Sequence, residues 1–486
     1  MKKILAVFLI NVFLLSTVCG VVTAKSVFGT ISEYHDGFKE LNISPQLSVE
    51  VTGALQWLMH QSIQTDTGYK WPIEETEASY YTDLYEGAPG ICLLFSEAFQ
   101  ITENETYYHY AIGGINWLIS NAVEDNGYKW PATENSSYYP TGFYTGSAGI
   151  GSSFIDFYNI FENDSYLHYA EGTARWLIHI GILGNDTHTG TTCKWPSYEG
   201  SNEYDIDLYN GATGIGFFFL KLYNVSHNQT YLTYAKYAGN WLMTQAISLR
   251  GNCYTWPASP IELSPLKFYF SPGFAHGTAS VGDFFAELYN MSKDTRYLHY
   301  AEGAGRWLIR SSVYDVSSGG VKWRDSFGNL QPSQLLGVFT FSTGWCHGPS
   351  GICKFFIDLY QTTSNPLYLR YAELGAKWLM SVAHVENGNY SWPNILGRTD
   401  IIVLENSNPT LCHGVTGIGE FFLELYRITN KQIYWDYANG AAKWLKSIGV
   451  KNGNGCVKWG VNGQYNTGEY LGVAGIALFL MEMENL

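Results

Sequence analysis

The chain repeats a pattern of apolar positions at helical spacing, in which an aromatic pair and an alanine precede Trp-Leu. Six full copies run from "YYHYAIGGINWLI" to "YWDYANGAAKWLK", and a shorter first copy reads "VTGALQWLM". Apolar residues that recur every three or four positions predict an amphipathic helix in each copy. The tryptophans of this set are 59 to 71 residues apart, at Trp57, Trp117, Trp176, Trp241, Trp307, Trp378 and Trp444.

A second motif, Gly-x-x-Gly or a close variant, opens an apolar stretch after each Trp-Leu segment, as in "GAPGICLLF" and "GPSGICKFF". In the fourth copy Ser280 replaces the second glycine. Stretches that are apolar nearly all round predict helices buried on every side. Small residues in their first turn let neighbouring backbones approach closely. The first glycines of the seven copies are Gly87, Gly146, Gly211, Gly277, Gly348, Gly414 and Gly472.

A third tryptophan set, mostly Trp-Pro, lies between the two helical motifs, where proline blocks helix continuation and so indicates loops or short strands. Seven polar-faced helices therefore alternate with seven apolar ones. An open solenoid needs atypical capping repeats, of which the sequence shows little sign. We predict an all-α fold, one α/α toroid of about seven helical hairpins with the Gly-x-x-Gly helices inside. The third set is Trp71, Trp130, Trp195, Trp256, Trp323, Trp392 and Trp459.

Composition narrows the functional classes. The 486 residues are 46% hydrophobic and 15% charged with a net charge of −15, and no run of Lys or Arg occurs, so we expect no nucleic-acid partner. The opening "MKKILAVFLI" predicts a secretory signal over residues 1–24, followed by a single domain over 25–486. The alternative is an uncleaved anchor, which would attach the chain to a membrane. Nine glycosylation tripeptides favour a secreted or extracytoplasmic glycoprotein: Asn42, Asn104, Asn135, Asn163, Asn185, Asn224, Asn228, Asn290 and Asn389.

The residues just before the first glycine of each apolar helix carry the candidate chemistry. Repeats place equivalent positions at equivalent depths, so these residues should meet at one end of the toroid, near its axis. Copies four to six have a histidine directly before the glycine, copies five and six add a cysteine one position earlier, and copies one and three have an aspartate four positions before it. These residues are His276, His347, His413, Cys346, Cys412, Asp83 and Asp207.

Cys346, Cys412 and His413 form a set of soft and borderline ligands that suits Zn²⁺. Three protein ligands leave a fourth position open, as in catalytic zinc sites. The alternatives are a disulfide between Cys346 and Cys412, or buried thiols beside a hydrogen-bonded histidine. His347 is either a fourth ligand, a group that supports a ligand, or an acid/base.

The inner-helix motifs "GWCHGPSG", "LCHGVTG" and "FAHGTAS" resemble those of the lanthionine synthetase C-like (cyclase) family over essentially the whole mature chain. The resemblance implies an α/α toroid with zinc bound by Cys346, Cys412 and His413, and addition of a thiol to a dehydroamino acid to form a thioether. It further implies that His276 donates a proton and that Asp207 orients it or contacts the substrate amide. The substrate would be a peptide or a small-molecule thiol.

Two features depart from the family pattern. Ser342 stands where bacterial cyclases have an arginine, and His347 stands where they commonly have tyrosine, although eukaryotic-type relatives also read Trp-Cys-His-Gly. The resemblance implies an intracellular protein, whereas the N-terminal segment of this chain predicts export. Two other functions stay open: a secreted carbohydrate-active α/α barrel that uses Asp83 and Asp207 as paired carboxylates, and a non-catalytic zinc scaffold. In an oxidising compartment the cysteines of consecutive repeats, Cys193 and Cys253, are a candidate disulfide.

Overall fold

The computed structural model of the protein describes residues 47–257, 269–328, 339–397 and 403–486. The predicted signal segment and Asn42 lie outside these residues. Fourteen α-helices fall within the described ranges. In chain order they are α1 (Val49–Gln61), α2 (Ala88–Thr102), α3 (Glu105–Ser120), α4 (Ser147–Phe161), α5 (Asp164–Ile180), α6 (Ala212–Ser226), α7 (Gln229–Gln245), α8 (Thr278–Ser292), α9 (Thr295–Ser311), α10 (Pro349–Thr363), α11 (Pro366–Val382), α12 (Val415–Thr429), α13 (Gln432–Ile448) and α14 (Val473–Glu484).

The helices form two concentric rings, which confirms the predicted α/α toroid. Each even-numbered helix packs against the next even-numbered one, and α14 packs against α2 and α1, so the inner ring is closed. Each odd-numbered helix from α3 onward packs outside the even-numbered helix that precedes it. The even-numbered helices are the Gly-x-x-Gly segments, and most of their residues are buried, as expected for helices covered on both sides.

A short antiparallel hairpin follows each outer helix. These hairpins are β1 (Ile63–Gln64) with β2 (Tyr69–Lys70), β3 (Val123–Glu124) with β4 (Tyr128–Lys129), β5 (Ile182–Asp186) with β6 (Gly190–Lys194), β7 (Ile247–Leu249) with β8 (Cys253–Thr255), β10 (Val313–Asp315) with β11 (Gly320–Lys322), β14 (His384–Glu386) with β15 (Asn389–Ser391), and β18 (Val450–Lys451) with β19 (Val457–Lys458). Two smaller sheets pair β9 (Tyr269–Phe270) with β12 (Phe327–Gly328), and β13 (Phe341–Ser342) with β16 (Ile395–Leu396) and β17 (Val403–Glu405).

The third tryptophan set fastens each hairpin to its outer helix. In every repeat the indole N–H donates to the backbone carbonyl of the leucine in the Trp-Leu motif, over 2.7 to 2.8 Å. The rings are at most 3% exposed, so each repeat buries a large apolar surface together with a satisfied donor. The leucine partners are Leu58, Leu118, Leu177, Leu242, Leu308, Leu379 and Leu445.

Glycine opens each inner helix because the preceding turn leaves no room for a side chain. At Gly348, for example, an added Cβ would lie 2.5 Å from the Thr343 backbone, and the other six first glycines are equally crowded by backbone atoms. The structure therefore explains the glycine by close approach, since φ at Gly348 is −94°, a value open to any residue. The turn before the helix folds back on itself and presents its residues at the end of the toroid.

All seven described cysteines are free thiols. Cys193 and Cys253 are each buried in their own hairpin, so the disulfide considered from their spacing is not formed. Arg310 Nη1 lies 3.5 Å from the Cys253 sulfur, and Cys193 packs beside Gly181. Within the described ranges, no helix combines the length and the apolar character needed to cross a bilayer.

The indole hydrogen bond predicts a stability effect that can be measured in one repeat. Trp323→Phe removes the donor to the buried Leu308 carbonyl and leaves a partly empty site, so we expect unfolding free energy to fall by about 2–4 kcal/mol. Urea unfolding followed by far-UV circular dichroism measures this change. The control is Trp435→Phe, which lies outside both tryptophan sets and is only half-buried. Equal stability of the two variants would contradict the role given to the indole.

Candidate metal centre

A closed circle of backbone hydrogen bonds sets the geometry at the end of the toroid where the inner helices begin. The residue two positions before each first glycine donates its N–H to the carbonyl of the equivalent residue in the next repeat, over 3.0 to 3.2 Å. The seventh residue donates to the first, so the circle closes. We call these residues the axial ring: Tyr85, Tyr144, Tyr209, Ala275, Cys346, Cys412 and Tyr470.

The axial ring brings the two predicted cysteine ligands side by side. The Cys346 N–H donates to the Cys412 carbonyl over 3.1 Å, and both thiols are buried, with 3% and 2% of each residue exposed. The Sγ atoms and one ring nitrogen of His413 lie within 4.8 Å of one another, and Cys412 Sγ is 3.9 Å from His413 Nε2. Among the described residues, this is the group whose ligand atoms converge closely enough to hold a metal ion.

These three side chains fit Zn²⁺ by donor type and by spacing. Tetrahedral zinc with Zn–S bonds of ~2.3 Å and Zn–N bonds of ~2.0 Å places its ligand atoms roughly 3.5–3.8 Å apart, close to the separations found here. The two thiols are free although they are neighbours, so the structure does not have the disulfide considered from the sequence. A Cys₂His set leaves one coordination position for a substrate.

The electrostatics of the two thiols differ. Burial opposes ionisation of Cys412, but hydrogen bonds from Cys346, His413 and Tyr85 outweigh it and place the pKa of Cys412 well below its usual range. Burial, together with the neighbouring Cys412, raises the pKa of Cys346. Tyr85 belongs to the same axial ring, where Tyr470 alone separates it from Cys412, so its side chain reaches the sulfur.

His276 and Asp207 form a hydrogen-bonded pair beside the predicted metal ligands. His276 Nδ1 lies 2.7 Å from Asp207 Oδ2, and the two side chains are 38% and 15% exposed. Burial lowers the pKa of His276, but the hydrogen bond and the negative charge of Asp207 more than compensate, so the net shift is upward. Because Asp207 occupies Nδ1, the second ring nitrogen is the one left to meet a substrate. The Tyr209 ring packs against the imidazole at 4.9 Å.

Asp83 has the same sequence offset as Asp207 but a different set of partners. Both aspartates accept a backbone N–H three residues later through Oδ1, at Glu86 and Asn210 respectively. Asp207 then uses its second oxygen on His276, whereas repeat two has Thr145 at the position equivalent to His276. Burial raises the pKa of Asp83 to about 7. The turn therefore accounts for an aspartate in both repeats, and the histidine partner distinguishes Asp207.

His347 lies between the His276–Asp207 pair and the predicted metal ligand His413. Its ring centroid is 5.8 Å from that of His276 and 6.4 Å from that of His413. Burial, and then the cationic forms of those two histidines, lower the pKa of His347. The group of converging ligand atoms does not include His347. Ser342 is buried in β13, where its N–H donates to Asp325 over 2.8 Å.

The sequence predicted the cysteines, histidines and aspartates of the site, but the prediction did not include the tyrosines of the axial ring. Tyr85 and Tyr209 contact Cys412 and His276, respectively, yet a tyrosine next to a glycine turn carries no metal or acid/base signal in a single sequence. The available signal was register, because both residues occupy the same offset from the first glycine as Cys346 and Cys412.

Comparison with known proteins agrees with this architecture. Residues 258–486 match the family model described as lanthionine synthetase C-like protein, so the resemblance inferred from the motifs is confirmed for this part of the chain. No curated protein matches the chain. A solved structure of nisin cyclase is 18% identical, with a TM-score of 0.55 over 90% of this chain and 93% of that chain.

Two sugar-epimerase structures have a similar fold. Cellobiose 2-epimerase from Bacillus thermoamylovorans B4167 is 12% identical, with a TM-score of 0.51 over 78% of this chain and 98% of that chain. A sugar epimerase from a ruminal bacterium is 11% identical, with a TM-score of 0.52 over 78% of this chain and 97% of that chain. At such identities the likeness shows a shared α/α toroid and nothing about substrate.

The ligand geometry predicts one zinc ion per chain, which elemental analysis of the purified protein measures directly. Cys412→Ala removes one of three ligands and should abolish stoichiometric binding, because two remaining ligands do not hold zinc tightly. Cys92→Ala is the control, since that thiol is buried in α2 and distant in sequence from the ligands. A metal-free wild type with an oxidised Cys346–Cys412 pair would contradict the assignment.

Proposed function

We propose that this protein, whose C-terminal part is lanthionine synthetase C-like, is an exported zinc enzyme that adds a thiol to a dehydroamino acid or a similar electrophile. The observation that supports this most directly is the His276–Asp207 pair placed beside the Cys346, Cys412 and His413 cluster. One part of the site suits thiol binding, and the other suits proton transfer.

Zinc bound by Cys346, Cys412 and His413 would lower the pKa of a substrate thiol so that it is a thiolate near neutral pH. The residues of the chain account for the remaining requirements. The thiolate sulfur bonds to the β-carbon of the acceptor, and the electron pair of the C=C bond moves onto the α-carbon and its carbonyl. That enolate needs one proton at the α-carbon to give the thioether.

His276 is assigned as the donor of that proton. Asp207 fixes the imidazole through Nδ1 and stabilises its protonated form, so the Nε2–H is available to the substrate. His347, which packs against the His276 ring, is assigned to the acid/base machinery rather than to the ligand set. We assign it to receive the proton released by the incoming thiol.

Proton donation predicts a specific pattern of loss. His276→Asn and Asp207→Asn should each slow thiol addition to a dehydrated peptide by about 10²–10⁴-fold, while zinc content stays at one per chain. Mass spectrometry of the thioether product measures the rate. His299→Asn is the control, because His299 bonds Tyr254 on the outer surface.

The same assay separates the other candidate functions. A zinc-loaded wild type without thiol-addition activity would favour a non-catalytic scaffold, the reading supported by Ser342 in place of the family arginine. Glycan hydrolysis lost in Asp207→Asn would favour the carbohydrate-active alternative.

Export is proposed from the N-terminal segment and the glycosylation tripeptides. The asparagines at 104, 163 and 228 cap outer helices through Oδ1, which gives those three residues a structural role. Asn135 and Asn185 are exposed and have no such role, so these two carry the inference better.

The full-length chain, expressed in a glycosylating secretory host, should appear in the medium with residues 1–24 removed. Intact-mass measurement before and after N-glycosidase treatment should show glycans, and Asn135→Gln should reduce their number by one. Retention of the chain in membranes with residue 1 intact would instead indicate an anchor.

A further inference from the structure

The inner helices carry a ring of charge that the sequence pattern did not reveal. Ten positions after the first glycine, every repeat has an ionisable residue, and five of the seven residues are at most 9% exposed. We call this set the charged belt: Glu97, Asp156, Lys221, Glu287, Asp358, Glu424 and Glu482. Six acids against one base on parallel helices is an arrangement that the fold itself does not need.

A second register adds one further carboxylate near the start of the last inner helix. Three positions before the first glycine, six repeats have a buried apolar residue, and the seventh has Glu469. The Oε2 atom of Glu469 is inaccessible to solvent and has no hydrogen-bond partner among the described residues. The six apolar residues are Leu84, Phe143, Leu208, Phe274, Trp345 and Leu411. The carboxylate at position 469 is therefore a departure from the repeat.

Glu469 lines a cavity of about 260 Å³ among the starts of α10, α12 and α14. One part of its wall is aromatic and the other is charged. The aromatic residues are Tyr144, Phe274, Trp345, Phe421 and Tyr470, and the charged ones are Lys354, Glu420, Glu424 and Glu469. Aromatic faces with carboxylates are the combination that binds organic cations.

The single cation in this wall is already engaged. Lys354 Nζ lies 3.1 Å from Asp358 Oδ2 and 3.4 Å from Glu424 Oε1. Behind it, Asp283 is 3% exposed, and its Oδ2 has no hydrogen-bond partner, as is true of Asp358 Oδ1. Lys354 thus already pairs with two carboxylates, and among the described residues no second basic side chain lines the cavity beside Glu420 and Glu469.

Burial favours the protonated, neutral forms of Glu420 and Glu469. Burial, followed by the charge of Asp156, raises the pKa of Glu469 to about 8, with Lys221 acting in the opposite direction. Burial raises the pKa of Glu420 well above its usual range, and the carboxylates of Glu482, Glu469 and Glu424 add to the effect. A positively charged ligand would displace these protons and be bound by the carboxylates.

We propose that this cavity is a binding site for a small ligand that carries a primary ammonium group. A bare metal ion fits less well, because no three carboxylates of the described residues converge on one point. The volume lies near the lower limit of ligand pockets, so a short linear amine, or the amine end of a longer molecule, matches its size.

Isothermal titration calorimetry with 1,4-diaminobutane tests the proposal on the full-length protein. We expect saturable binding with release of protons, measured in two buffers of different ionisation enthalpy, and none with 1,4-butanediol. Glu469→Leu restores the apolar residue of the other repeats and should weaken binding about tenfold or more. Its thermal midpoint should be unchanged or higher, since it removes a buried carboxyl without a partner.

Two further variants keep the test decisive. Glu420→Gln should weaken binding in the same way and covers the case in which Glu469→Leu does not fold. Glu386→Gln, whose side chain is 73% exposed on an outer hairpin, should bind as the wild type does. No binding of the diamine by the wild type, equal binding by Glu469→Leu, or saturation by magnesium chloride instead would overturn the proposal. None of these results depends on thiol-addition activity, because neither carboxylate is a zinc ligand.

Discussion

The axial ring of backbone hydrogen bonds is the constraint on which the rest of this structure depends. Each bond contributes about 1 kcal/mol in net terms, but the circle closes only if all seven repeats present the same turn at the same height. The glycine at each helix start permits that turn. The packing of α14 on α1 and α2 closes the circle without a covalent bond between its first and last helices. Side chains at this register are then brought within contact of residues hundreds of positions away.

The ring explains why chemistry can be placed in this fold by single substitutions. A residue at the ring register lies near the axis whatever its type, so tyrosine in one repeat and cysteine in another meet directly. Tyr85 and Cys412 are far apart in sequence, yet the tyrosine hydrogen-bonds to that sulfur. Function is thus specified by which repeats deviate from the common pattern.

Register is also why much of the fold and of the candidate site could be predicted from the sequence. Seven copies of two helix motifs, without capping repeats, predicted a closed ring of helices. The shared offset of Cys346, Cys412 and His413 from the first glycine predicted that they lie together, without knowledge of any distance. The contact of Asp207 with His276 was expected only through the family resemblance, because an identical offset in Asp83 leads to no such pair. The partner of a side chain depends on which residue the neighbouring repeat has at the facing position, and the offset from the first glycine does not give that residue.

The charged belt escaped prediction for a related reason. Each inner helix has at most a few ionisable residues among many apolar ones, so one helix at a time reads as uniformly apolar. The excess charge exists only when seven helices are set side by side, and burial then costs several kcal/mol for each unpaired ion. Protonation reduces that cost, which is consistent with the raised pKa values of the belt residues Glu97 and Asp358.

The candidate metal centre and the proposed amine cavity are built from adjacent residues of the same turns. Trp345 and Leu411 line the cavity, and the residues that directly follow them in the chain are the candidate metal ligands Cys346 and Cys412. Replacing Trp345 would therefore disturb both sites, and its effects could not be assigned to either one. Glu469 precedes Tyr470 in the same way, but Tyr470 is not a ligand, so Glu469 is the position at which the cavity can be altered while the metal ligands keep their neighbours.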